Sequence, residues 1–200
     1  MTFLAPGERV VLASANPKKA KELVEILGAR IVVVSRPPEV PEVVEDADTF
    51  EGNARLKAVA LVEATGLAAL ADDSGLEVDA LGGQPGVRSA RYAGEDAADA
   101  DNVAKLLRAL EDEGAVDPAD RSARFRAVLV LRRPDGAEAV ASGSVEGSIA
   151  AAPSGDGGFG YDPVFVPVDG DGRTFAEMSA DDKHAISHRG RALASLLAQL

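Results

Sequence analysis

The chain has 200 residues, 33 acidic against 21 basic for a formal charge of −12, and no cysteine. That balance disfavours broad binding to a nucleic-acid backbone, which relies on Lys and Arg on the phosphates, and the composition excludes disulfides and thiolate chemistry. No apolar run approaches the roughly 20 residues of a membrane span, and the opening MTFLAPGERV lacks the basic and apolar segments of a secretory signal.

A cytoplasmic protein is therefore expected, with a single domain. Hydrophobic residues make up 46% and aromatics only 4%, so an aliphatic, alanine-rich core is expected. In chain order, Val10 to Ala13 read as a strand. Asn16 suits an N-cap and Pro17 the first helical position. Leu23 and Leu27 share one face of that helix, and Gly28 is its expected stop. IVVV at 31–34 is a second short strand, bounded by RPPEVP. The spacing of Phe50, Ala54, Leu61 and Val62 predicts a helix from Thr49 to Thr65, closed by Gly66.

An apolar strand from Leu67 to Ala71 then meets Asp72 and Asp73, and Ser74-Gly75 is expected to end it. A Gly-rich passage leads to a helix over 99–112, marked by Val103, Leu106, Leu107 and Leu110. Residues 123–150 read as two antiparallel strands joined at Pro134-Asp135-Gly136. A second Gly-rich loop, PSGDGGFGYDPVF, precedes a helical stretch from about Ser179. The fold class that follows is α/β with a mixed, twisted sheet and flanking helices.

Four places carry chemistry. SANPKK lies between a strand and a helix, where free backbone N–H groups and the positive dipole end attract anions. Ser14 and Asn16 can add hydrogen bonds, and Lys18 or Lys19 a charge; an ordinary capped helix is the competing reading. Asp72 and Asp73, adjacent on a strand, point to opposite faces unless the strand ends there. Buried carboxylates call for a cation, and in a chain without cysteine and with two histidines the oxygen ligands point to Mg2+ rather than zinc. An Asp-rich turn is the alternative. EVVEDAD adds Glu45, with Asp46 beside it; a solvated acidic loop explains that run equally well. GGFGYDP lets a backbone approach a ligand, and Phe159 offers a flat face to a base; a Gly-rich turn with one core aromatic is the competing reading. KHAISHRG gathers Lys183, His184, His188 and Arg189; without an H-E-x-x-H signature a histidine metal pair is not expected, and a solvated basic helix start competes.

The order of these signals is more specific than any one of them. S-x-N-x-x-K, T-F-x-x-N-A-x-x-K-A, A-D-D-S-G-L, P-G-V-x-S-A-R-Y-A-G, G-F-G-Y-D-P-x-F and K-x-x-x-S-H-R-G follow one another. From about residue 10 to the C-terminus the chain closely resembles the inosine triphosphate pyrophosphatase family, also called Ham1-like. The resemblance implies one two-lobed domain over 1–200 with the active site in the cleft, usually as a homodimer. It implies Mg2+-dependent cleavage of ITP, dITP and XTP to the monophosphate and pyrophosphate.

Residue by residue, Ser14, Ala15, Asn16, Pro17, Lys18 and Lys19 match the triphosphate-binding turn, and Lys57 is a further phosphate contact. Glu45 and Asp73 match the metal ligands, Asp73 also the proton acceptor, with Ser74 beside it on the substrate. Phe159, Gly160, Tyr161 and Asp162 match the nucleoside loop. Lys183, His188 and Arg189 match the residues around the purine, and His184 falls where the motif varies. Two rival readings are an aspartyl-phosphate phosphohydrolase, although D-x-D-x-T is missing, and a nucleotide-sensing module without turnover.

Overall fold

Val10, Val11 and Leu12 are buried in β1 (Arg9–Leu12), the first element of the computed structural model, which describes residues 3–5, 7–14, 16–27 and 31–200. The turn that follows is a capped one. Asn16 Oδ1 accepts from the backbone N–H of Lys18 at 2.9 Å and of Lys19 at 3.3 Å, opening α1 (Pro17–Leu27). Leu23 and Leu27 point inward from α1 as their spacing predicts. Ala15 and the expected stop at Gly28 lie outside the described residues. β2 (Val32–Val34) pairs parallel with β1.

Both ends of α2 (Phe50–Thr65) are set locally. Thr49 Oγ1 accepts from Gly52 N–H at 3.0 Å, and Gly66 closes the helix in the left-handed region at φ 66. β3 (Ala68–Val78) pairs parallel with β1, placing Ala68 opposite Val10. It does not end at Ser74-Gly75 as expected. Leu76 and Val78 are fully buried beyond that point, and their burial carries the strand through the carboxylates and the glycine.

α3 (Asp99–Asp112) buries Val103, Leu106 and Leu110. β4 (Ser122–Arg132) and β5 (Glu138–Ile149) are joined by a turn in which Gly136, at φ 89, donates to the Arg133 carbonyl at 3.0 Å. β6 (Phe165–Pro167) pairs antiparallel with β5; at three residues it is too short for its own periodicity to announce it. Ser179 caps α4 (Ala180–Ile186) by accepting from Asp182 N–H. The helical stretch expected from about Ser179 breaks at Ser187, extended at ψ 156, and resumes as α5 (His188–Leu197).

The six strands run in the order β2-β1-β3-β4-β5-β6 with parallel and antiparallel pairs, a mixed α/β sheet as the sequence implies. The chain divides into two compact units. The first comprises Met1–Asp73, Ala127–Gly143 and Arg189–Leu200, and the second Ser74–Arg126 and Ser144–His188. Aliphatic side chains such as Leu12, Leu23, Leu70, Leu129 and Leu193 fill the first core. The second core departs from that pattern by collecting Phe125, Phe165 and Phe175 beside Leu76, Leu106 and Ile149. Among the described residues no helix is long and apolar enough to cross a membrane.

Candidate active site

Because β3 continues through them, Asp72 and Asp73 project to opposite faces of the strand, and each meets its own cations. Both are buried, at 1% and 4% exposure. Asp72 Oδ2 lies 3.4 Å from Arg189 Nε and 3.9 Å from Lys19 Nζ. Arg189 Nη1 in turn donates to Glu22 Oε2 at 2.7 Å. On the other face Lys57 Nζ donates to Asp73 Oδ1 at 3.3 Å and lies 3.3 Å from Glu45 Oε1. Asn53 Nδ2 donates to Asp73 Oδ2 at 3.2 Å. All of these residues belong to the first unit.

The two carboxylates are pushed apart in acidity. Burial penalises the charge of Asp72, but Lys19, Arg189 and Lys57 outweigh it and hold the carboxyl below its ordinary range. Burial raises Asp73; Lys57 and Lys19 oppose the shift, while Glu45 and Asp72 add to it. Two titratable groups driven in opposite directions is how one site supplies both a fixed charge and a proton acceptor. Burial works against the Lys57 ammonium, but Asp73, Asp72 and Glu45 outweigh it and keep it above its usual value. Lys19 behaves differently. Burial lowers it; Asp72 opposes that, and the neighbouring Arg189 and Lys57 charges add to it.

Among the described residues there is no group of three or more His, Cys, Asp or Glu side chains that could hold a metal ion. Mg2+ does not need such a cage, since one or two carboxylates with waters and phosphate oxygens suffice. The residues present fit it. Glu45 and Asp73 already share one cation in Lys57, and Asp72 Oδ1 is buried with no hydrogen-bond partner among the described residues.

The SANPKK turn contributes unevenly. Ser14 Oγ donates to the Asn16 carbonyl at 3.3 Å, Pro17 and Lys18 are exposed, and Lys19 is the residue that reaches the carboxylates. A groove of about 840 Å³ flanks the turn, with Ser14, Pro17, Lys21, Arg36 and Glu42 on its walls, and the acidic pair is not part of its lining.

The second unit holds the other sequence-derived residues. Phe159 N–H donates to Asp162 Oδ2 at 2.8 Å, and Lys183 Nζ pairs with the same oxygen at 2.7 Å. Lys183 Nζ also stands 5.0 Å from the centre of the Phe159 ring. Gly158 is at φ 69, and a Cβ there would collide with the Asp162 carboxylate, so the loop closes only on glycine. Gly160, at φ 60, makes the next bend. Tyr161 turns into the core, where its hydroxyl donates to the Ser89 carbonyl at 2.9 Å and burial raises its pKa. The His188 ring stacks on Phe125, centroids 4.7 Å apart and planes 10° apart. Ser74 opens this unit's part of β3.

A solvated basic helix start is thus not what KHAISHRG forms. Lys183, His188 and Arg189 are 5%, 3% and 3% exposed, because each has been drawn against a carboxylate or a ring. His184 sits on α4 and His188 opens α5, so the histidine pair spans a helix break. Sequence reasoning missed Glu22 and Asn53. Glu22 gave no signal on an exposed-looking helix; Asn53 was visible as the fixed asparagine of the T-F-x-x-N-A pattern.

Fold and site together define a class: an α/β protein holding two adjacent carboxylates buried on a sheet strand, each against its own lysine. The chain belongs to the Ham1 family, whose model matches residues 10–199. It is 48% identical over 194 residues to the dITP/XTP pyrophosphatase of Symbiobacterium thermophilum, covering 96% of this chain and 95% of that one. Among solved structures it is similar to a HAM1 protein from Coxiella burnetii, with TM-score 0.84, 44% identity and coverage of 96% and 97%. It is also similar to a nucleoside-triphosphatase, dITP/XTP pyrophosphatase, from Mycobacterium abscessus, with TM-score 0.74, 47% identity and coverage of 94% and 97%.

Proposed function

We propose that this protein hydrolyses ITP, dITP and XTP to the monophosphate and pyrophosphate, cleansing the nucleotide pool of non-standard purines. The observation that carries this reading is the Asp72–Asp73 pair, one carboxyl held ionised and the other raised, each beside a lysine. The names of the full-length relatives support the substrate class.

Asp73 is the proton acceptor for the water that attacks the α-phosphorus, its carboxylate set between Lys57 and Asn53. Lys19 and Lys57 pair with phosphate oxygens, as charge-assisted donors do. Asp72 stays ionised and holds Lys19 and Arg189 in place. Glu45 and Asp73 would hold Mg2+, which when bound neutralises phosphate charge and lowers the pKa of water. In the second unit Phe159 offers its ring to the base. Lys183 and His188 supply donors suited to the exocyclic oxygen of hypoxanthine and xanthine, where adenine carries an amino group. Arg189 is a further donor, its guanidinium shared with Glu22 and Asp72. The protein works in the cytoplasm as a homodimer, the location supported by the cysteine-free composition and the dimer by the family resemblance.

One experiment tests the reading: ITP, XTP, dITP, GTP and ATP with Mg2+ in isotope-labelled water, following monophosphate, pyrophosphate and the label. Pyrophosphate release with the label in the monophosphate is expected for ITP, dITP and XTP. A trapped phosphorylated aspartate would instead establish the phosphohydrolase rival, and binding without turnover the sensing module.

A further inference from the structure

Glu45 sits in the segment 41–47, which has no regular secondary structure to hold it. Arg36 Nη2 donates to the Pro41 carbonyl at 2.7 Å and Lys57 Nζ stands 3.3 Å from Glu45 Oε1, and two consecutive residues in the first turn of α2 hold the segment beyond Glu45. A Cβ on Gly52 would lie 2.6 Å from Ala47 Cβ and 3.1 Å from Thr49 Oγ1, so the segment can lie this close to the helix only over a glycine. Asn53, fully buried, accepts from Ala47 N–H through Oδ1 at 3.0 Å and donates from Nδ2 to Asp73 Oδ2 at 3.2 Å. A backbone N–H can only donate, so Ala47 fixes which end of the amide is oxygen and turns the NH2 group onto Asp73. With Lys57 on Oδ1 and Asn53 on Oδ2, the plane of the Asp73 carboxylate is set from both sides.

We propose that Gly52 and Asn53 are a clamp that fixes the Glu45 segment relative to the Asp73 carboxylate, making Asn53 a positioning residue for the hydrolysis. The proposal rests on the function argued above. Asn53 acts through its neighbours: one amide joins the Ala47 backbone, two residues from Glu45, to the carboxylate that takes the proton. The two halves of the clamp separate by mutation. Asn53→Asp keeps an acceptor for Ala47 N–H but faces Asp73 with a carboxylate in place of a donor. Gly52→Ala leaves the Asn53 side chain intact and pushes Ala47 away.

The test compares wild type, Asn53→Asp, Asn53→Ala and Gly52→Ala as full chains. It reads kcat and KM for ITP, melting temperature, and the calorimetric affinity for an ITP analogue with a non-hydrolysable α–β bridge, with and without Mg2+. Displaced supporting residues typically cost ~10–100-fold in activity or metal affinity. A fall in kcat of at least about tenfold and a smaller Mg2+-dependent gain in analogue affinity are expected, with metal-free affinity near wild type for Asn53→Ala and Gly52→Ala, which leave the charge unchanged. Folded variants that keep wild-type kcat and the full Mg2+-dependent gain would overturn the clamp, as would losses tracking melting temperature alone. If Asn53→Ala does not fold, the other two variants decide. If wild type itself fails to turn over ITP, the proposed function falls, while the Mg2+-dependent gain still judges the clamp.

Discussion

Arg189 donates from Nη1 to Glu22 Oε2 at 2.7 Å, tying the start of α5 to α1. Its Nε reaches Asp72 at 3.4 Å, so one guanidinium serves two carboxylates in a buried setting. Removing one member of such a set leaves charges without compensation. Arg189→Ala is expected to destabilise the nucleotide-free protein by about 3 kcal/mol, the lower end for breaking a buried pair. Arg189→Lys should recover part of this, since an ammonium keeps the charge but not the fork. Denaturant unfolding checks it, and an alanine variant as stable as wild type would show the network to be idle.

Asp73→Asn keeps the shape of the side chain and removes its basicity. Turnover of ITP is expected to fall by at least ~10²-fold with the fold intact. Circular dichroism and initial rates on the same sample decide it; a folded variant with near-normal turnover removes Asp73 from the role of base.

Asp72 gives the pH dependence a sign. Its folded pKa is depressed below the unfolded value, so the unfolded state binds the proton more readily. The stability it contributes is present above about pH 4 and lost as pH falls through the folded pKa. Asp72→Asn should therefore be less stable than wild type at neutral pH, with the gap closing in acid. Unfolding free energies measured without nucleotide across this window test it, and a gap independent of pH would contradict the assignment.

Lys57 bridges Glu45 and Asp73, and Lys19 stands beside Asp72. Replacing either with methionine should weaken ITP and leave inosine binding nearly unchanged, because the lost partners are phosphate oxygens. Equal losses for nucleotide and nucleoside would place the lysines elsewhere in the mechanism.

Phe159 carries its ring 5.0 Å from Lys183 Nζ. Phe159→Ala is expected to weaken every purine triphosphate by a similar factor, about 1–3 kcal/mol by analogy with base–aromatic stacking. Lys183→Met should narrow the preference for ITP over ATP instead. Competition binding with both nucleotides separates the two effects; a Phe159→Ala loss confined to one base would refute stacking.

Interactions that close within a few residues were legible in the sequence alone. The Asn16 cap, the Thr49 and Gly66 ends of α2, the Gly136 turn and the Ser179 cap each satisfy backbone groups from neighbouring positions, so residue type and spacing suffice. The ordered motifs likewise carried the family and its candidate residues. The course of β3 was not legible. Ser74-Gly75 has the local chemistry of a strand end, yet Leu76 and Val78 find a core to fill, and that burial overrides the local preference. The partners of the carboxylates were hidden for the same kind of reason. Asp72 meets Arg189, 117 residues later, and Asp73 meets Asn53 and Lys57 across the packing of α2 on the sheet. Sequence spacing says nothing about contacts that exist only once distant segments have packed, and the division of labour between two adjacent aspartates is made of such contacts.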